Sequence, residues 1–136
     1  MTGDRALRDR SIRTLAWLGD AEFEREVRLR LVRRGDFPTD RLDKLRAKIV
    51  NAAAQAELLA TLLERLDEQE LGVVRRARNA APRGSGRGSA GVREYRAATA
   101  LEALIAWWLL DGLHERFESL IVPAIEARID LLLAER

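Results

Sequence analysis

The 136-residue chain carries 24 Lys and Arg against 22 Asp and Glu, a net charge of +2 that by itself selects no partner. Its 47% hydrophobic and 34% charged residues exclude a disordered chain and fit one folded domain spanning 1–136. The absence of cysteine excludes disulfides and thiolate metal sites.

Leu-, Ala-, Glu- and Arg-rich stretches with three prolines point to an all-α fold. Ile12, Leu15, Ala16, Phe23, Val27 and Leu31 recur at helical spacing, and Gly35 and Pro38 end the pattern, so a first helix is expected over 6–34. Leu42, Leu45, Ile49 and Val50 form the stripe of a second helix. Asn51 caps a third, expected over 52–66. A short helix follows over 68–79. Residues 80–91 hold one Pro, four Gly and two Ser and read as a flexible loop. A strongly apolar helix over 92–111 stops at Gly112. The last segment, 114–135, is amphipathic, and Pro123 kinks it or begins its second part. The longest unbroken apolar run, 103–110, falls far short of the roughly 20 residues that span a bilayer. The charged first ten residues lack an apolar signal core, so a cytoplasmic location and no membrane partner are expected.

Charge is distributed unevenly. Between Arg75 and Arg96 lie seven arginines, Arg75, Arg76, Arg78, Arg83, Arg87, Arg93 and Arg96, against one acid, Glu94. Such a patch suits a polyanion, although a solvated arginine-rich loop would look the same. Within 97–110 only Thr99 and Glu102 are polar, leaving Glu102 as a carboxylate in an otherwise apolar helix. Asp20 sits on the inward stripe of the first helix, between Ala16 and Phe23. A carboxylate so placed requires a basic partner, a raised pKa or a metal ion. In a chain this rich in arginine an ion pair is the ordinary account. Converging Asp and Glu oxygens equally suit a hard cation such as Mg²⁺.

Two segments carry a family resemblance. Leu15-Ala16-Trp17-Leu18-Gly19-Asp20-Ala21 resembles the ribonuclease III signature, in which a Leu-Gly-Asp-Ala core supplies a catalytic aspartate. Val92-Arg93-Glu94-Tyr95-Arg96-Ala97-Ala98-Thr99-Ala100-Leu101-Glu102-Ala103-Leu104-Ile105 is similar to the family's other metal-binding helix. Leu45-Arg46-Ala47-Lys48-Ile49-Val50-Asn51 and Val74-Arg75-Arg76-Ala77-Arg78-Asn79 resemble the connecting helices in the same order. Full-length members place further carboxylates where this chain has Ala16 and Thr99. Their loss, together with Glu94-Tyr95-Arg96, resembles the mini-ribonuclease III branch, which has no appended RNA-binding domain.

The resemblance implies a helical endonuclease-domain bundle forming a two-fold homodimer. It implies hydrolysis of double-stranded RNA to 5′-phosphate and 3′-hydroxyl ends, with Mg²⁺, or Mn²⁺ in its place, held by Asp20 and Glu102 as catalytic and metal residues. The loss of two carboxylates favours one bound ion over two. Arg75, Arg76, Arg78, Asn79, Arg83 and Arg87 are the expected RNA contacts, and Trp17 the dimer anchor. Precursor 23S ribosomal RNA is the implied substrate, with a ribosomal protein as helper. Two alternatives stand beside this reading. One is a non-catalytic RNA-binding or dimerisation module; the other is an all-α nucleotide pyrophosphohydrolase using Glu22 and Glu26, which the surrounding arginines favour as a salt-bridged face. Trp107 and Trp108 are expected in packing, and His114 at a helix start.

Overall fold

The architecture is organised around one helix, Ser89–Leu110, whose residues are apolar on nearly every side. A helix with no polar face is stable in water only when surrounded. In the computed structural model, which describes residues 3–80 and 89–135, three other helices surround it.

In chain order, a 3-10 helix, Gly3–Asp9, precedes α1 (Ile12–Arg34), α2 (Thr39–Val50), α3 (Ala52–Leu62), a 3-10 turn (Leu63–Arg65), α4 (Glu68–Ala80), the central α5 (Ser89–Leu110), α6 (His114–Leu120) and α7 (Val122–Ala134). There is no strand among the described residues. Helices α1, α3 and α4 pack directly on α5, and α2, α6 and α7 complete the bundle. From α5, Leu101, Leu104, Ile105 and Trp108 are fully buried, and α1 meets them with Leu15, Gly19, Phe23, Val27 and Leu31. Each Leu, Ile or Phe withdrawn from water in this way contributes roughly 1.5–3 kcal/mol.

Helix boundaries depart from the sequence expectation where local hydrogen bonding competes with periodicity. The first helix begins at Ile12 instead of position 6, because the Ser11 hydroxyl accepts from the Thr14 N–H at 3.2 Å and caps it. The segment before it forms the 3-10 helix and straps α5: the Arg8 guanidinium lies 3.4 Å above the Trp107 ring and its Nε donates to the Trp107 carbonyl at 3.0 Å. Helix α3 stops at Leu62 and not at 66, finishing in the 3-10 turn. Helix α5 starts at Ser89, within the predicted loop, of which 81–88 lie outside the described residues. Gly112 does end α5, with φ 71° and the Leu113 N–H bonded to the Trp108 carbonyl at 2.9 Å. Pro123 falls in the first turn of α7 and separates it from α6, since proline lacks the N–H a continuous helix would use.

A buried carboxylate ties α4, α5 and α6 together. Asp67 and Glu70 exchange side-chain to backbone hydrogen bonds at 2.9 and 2.8 Å, capping α4 reciprocally. Glu70, only 2% exposed, also accepts from Trp108 Nε1 at 2.7 Å and Arg116 Nε at 2.9 Å. Burial pushes its carboxyl up, but Arg116, the Asp67 N–H and Trp108 outweigh burial and hold it below the usual carboxylate range. Glu70→Ala strands the Trp108 N–H and uncouples Arg116, so it should lower unfolding free energy by about 3–5 kcal/mol. Urea denaturation checks this; a loss under about 1 kcal/mol would mean that packing alone holds α6 in place.

Candidate active site

The site exists because α1 and α5 touch backbone to backbone. A Cβ built on Gly19 would stand 1.7 Å from the Glu102 carbonyl oxygen and 2.5 Å from its carbon. No side chain fits there, so glycine is required by the closeness of the helices. The next residue, Asp20, is thereby brought beside Glu102 at the seam between α1 and α5.

Asp20 is exposed, whereas Glu102 is partly buried. Burial, then the like charge of Asp20 and a hydrogen bond to it, push the Glu102 carboxyl up to about 8, with a hydrogen bond from the Gln55 amide acting the other way. Two carboxylates close enough to share one proton follow from that balance. Among the described residues neither has an arginine partner, in contrast to Glu24, Glu26, Glu70 and Glu126, which all have one. The ion-pair account therefore fails for Asp20 and Glu102 among the described residues, and burial beside a second carboxylate is what raises the Glu102 carboxyl. A divalent cation fits the pair, since it would replace mutual repulsion by attraction to both oxygens. No group of three or more His, Cys, Asp or Glu is placed to hold a metal among the described residues, so Asp20 and Glu102 stand at this seam as a pair. The positions of the missing family carboxylates are Ala16, which is buried, and Thr99, whose hydroxyl donates to the Tyr95 carbonyl at 3.0 Å.

The predicted arginine surface divides between two faces of α4. Arg75, Arg76, Arg78 and Asn79 are all exposed. Arg78 and Asn79 join Arg93, Arg96, Ala56 and one acid, Glu94, around a cleft of about 650 Å³. Arg76 points elsewhere, into a cleft with Arg5, Arg8 and Trp107. Arg83 and Arg87 lie outside the described residues. Arg93 and Arg96 were visible only as members of the charge run, and the packing of α5 against α4 makes them part of the cleft. Ala56 follows Gln55, so α3 links this basic cleft to the carboxylate pair.

Trp17 is 80% exposed, which rules out a place in the monomer core. It sits one turn before Asp20 on α1. Trp108 is buried and Trp107 lies under Arg8, as expected of packing residues. His114 is the exposed first residue of α6. Glu26 is bound to Arg30 at 2.8 Å, so of the Glu22 and Glu26 pair the second is held in a salt bridge. Gln55 is the residue that sequence reading missed. It interrupts the alanine-rich start of α3 much as Glu102 interrupts α5, and that isolation was the available signal.

An all-helical bundle with an unpaired carboxylate couple beside an arginine-lined cleft defines a nuclease-type domain acting on a phosphate-rich polymer. Residues 13–113 match the ribonuclease III domain, and the chain belongs to the ribonuclease III family. It is similar to mini-ribonuclease 3 of Brevibacillus brevis, 43% identical over 110 residues covering 81% of each chain. Mini-ribonuclease 3 of Symbiobacterium thermophilum is 42% identical over 113 residues, covering 83% of this chain and 86% of that one. A crystal structure of a protein from Fusobacterium nucleatum superposes with a TM-score of 0.78 at 33% identity, over 89% of this chain and 96% of the other. This chain is thus an endoribonuclease of the ribonuclease III type. No helix among the described residues is long and apolar enough to cross a membrane.

Above its ordinary value, the Glu102 carboxyl costs stability as it ionises. In metal-free buffer this cost is absent below pH 4.5 and complete above about pH 8, because the folded state holds the proton more tightly than the unfolded chain. Glu102→Gln cannot ionise. Its melting temperature in chelator should therefore rise relative to wild type as pH goes from 5 to 9, and a constant difference over that range would contradict a Glu102 carboxyl raised by burial and by Asp20.

Proposed function

We propose that this protein cleaves double-stranded RNA as a two-fold dimer, with a divalent cation, Mg²⁺ or Mn²⁺, held by Asp20 and Glu102. The observation that carries the reading is the convergence of two carboxylates, without a cationic partner among the described residues, at the Gly19 contact. When bound, such a cation neutralises phosphate charge and lowers the pKa of a coordinated water. The protein's own contribution is to hold both carboxylates in place before substrate arrives. Gly19 sets their separation through the helix backbones, and partial burial of Glu102 strengthens every charge interaction at the seam.

Substrate is held by the arginines. Arg78, Arg93 and Arg96 present guanidinium groups around one cleft, each able to bind phosphate oxygens bidentately. Duplex RNA offers such phosphates at either side of its shallow minor groove, together with 2′-hydroxyls. Arg83 and Arg87, between α4 and α5 in sequence, extend the same cationic run. Trp17 is the dimer contact: a tryptophan this exposed favours a partner surface, and its position one turn from Asp20 puts the subunit boundary beside the catalytic seam. Two-fold symmetry then supplies one site for each strand. Family resemblance points to precursor 23S ribosomal RNA as the cellular substrate, to a ribosomal protein as helper, to 5′-phosphate and 3′-hydroxyl ends and to the cytoplasm as the place of action.

Asp20→Asn and Glu102→Gln should each reduce cleavage of duplex RNA in Mg²⁺ by at least about 100-fold while circular dichroism stays unchanged; the size follows from loss of charge stabilisation at the reacting phosphate. Duplex DNA and nucleoside triphosphates serve as control substrates. Cleavage of nucleotides in place of RNA would favour the pyrophosphohydrolase, and a wild type inert towards all three would favour the binding module.

Arg78→Ala combined with Arg93→Ala should weaken RNA binding and make its dependence on log salt shallower by about 1–2, because fewer counterions are released. Cleavage at saturating RNA should persist. An unchanged salt slope would remove the cleft from the RNA path.

A further inference from the structure

Gln55 is a buried polar side chain with no place in the arrangement described so far. It is 3% exposed, on the first turns of α3. The corner between α2 and α3 holds it firmly. Asn51 caps α3 by accepting from the Ala54 N–H at 2.8 Å and donates its own amide to the Ala47 carbonyl at 3.0 Å. Gln55 Nε2 donates to the Val50 carbonyl at 2.9 Å, taking up an acceptor that the end of α2 leaves free. That bond orients the amide, whose N–H end also reaches toward Glu102 and favours its ionised carboxyl.

Its oxygen is different. Gln55 Oε1 is buried and has no hydrogen-bond partner among the described residues. Buried acceptors are nearly always satisfied, so an orphan on the side chain that meets Glu102 calls for a donor. Neither position that carries an additional carboxylate in full-length relatives fills the gap: Ala16 has no polar atom, and the Thr99 hydroxyl is turned back onto its own helix. A hard divalent cation keeps several waters, each with protons to donate.

We propose that Gln55 is the third member of the cation site, a positioning residue whose N–H fixes the Glu102 carboxylate and whose Oε1 accepts a hydrogen bond from the cation's water shell. This rests on Asp20 and Glu102 forming that site. A neutral amide suits the place because it adds an oxygen without adding a third negative charge to a pair that already repels.

Binding of Mn²⁺ alone, without RNA, tests the assignment through the electron paramagnetic resonance signal of the free ion. Wild type, Asp20→Asn, Gln55→Met and Gln55→Glu are compared, with circular dichroism reporting the fold of each. Gln55→Met preserves the length and bulk of the side chain but cannot hydrogen-bond. It should weaken Mn²⁺ binding about 10-fold or more, the usual effect of losing a group that orients a metal ligand. Gln55→Glu keeps an oxygen at the same reach but loses the N–H that fixes Glu102, so it should bind less tightly than wild type and more tightly than Gln55→Met. Wild-type affinity in Gln55→Met, or equal weakening in both Gln55 variants, overturns the role of Gln55 while leaving the carboxylate site intact. If wild type fails to bind Mn²⁺, or Asp20→Asn binds it equally well, the cation site itself falls and Gln55 with it.

Discussion

The contact between Gly19 and the Glu102 carbonyl governs this protein. Helices usually pack 8–10 Å apart, held off by side chains, and the missing Cβ at position 19 lets α1 and α5 close until backbone meets backbone. The approach has two consequences that cannot be separated. It lets the stripes of α1 and α5 seal the core, and it brings the carboxylates of residues 20 and 102 nearer than their charges favour. Stability on one side of the contact is therefore coupled to electrostatic strain on the other.

Two glutamates show how the same bundle treats a carboxylate when structure is the purpose and when chemistry is. Glu70 is the more deeply buried, yet its oxygens accept from Arg116, Trp108 and the Asp67 N–H, and its carboxyl stays acidic. Glu102 retains some exposure but faces another carboxylate and one amide, and holds its proton to about pH 8. The first arrangement uses a charge to join three helices. The second leaves charge uncompensated, which costs folding stability and which the proposed cation would relieve. Unpaired charge placed so deliberately among many arginines is the physical mark of the site.

The arginines themselves serve at least three purposes. Arg30, Arg34 and Arg46 knit α1 to α7 and α2 through Glu126, Asp130 and Glu24. Arg8 and Arg116 lie over tryptophans and pair with buried or half-buried acids. Arg78, Arg93 and Arg96 line the cleft adjoining α3. A net charge of +2 conceals this division, since some of the arginines are paired with acids and others are gathered around the cleft.

Much of the architecture was legible in the linear pattern. Apolar spacing over α1, the cap at Asn51, the all-round apolarity of α5 and the stops at Gly112 and Pro123 act within one or two turns, so neighbouring residues suffice to reveal them. The isolation of Glu102 among apolar residues marked that carboxylate before any fold was known, whereas Asp20, read as part of the inward stripe, lies exposed at its edge. Helix ends set by competing local bonds, at Ser11 and Leu62, were misplaced because periodicity is blind to them. What no linear pattern could decide was pairing across the bundle: which buried glutamate would find an arginine, that Gln55 would reach Glu102 from a third helix, that Arg76 and Arg78 would face different clefts, and that Trp17 would remain outside the monomer core. Periodicity determines which face of a helix turns inward, because that depends on local sequence. Only tertiary packing decides what each inward group meets, because that depends on residues up to a hundred positions away.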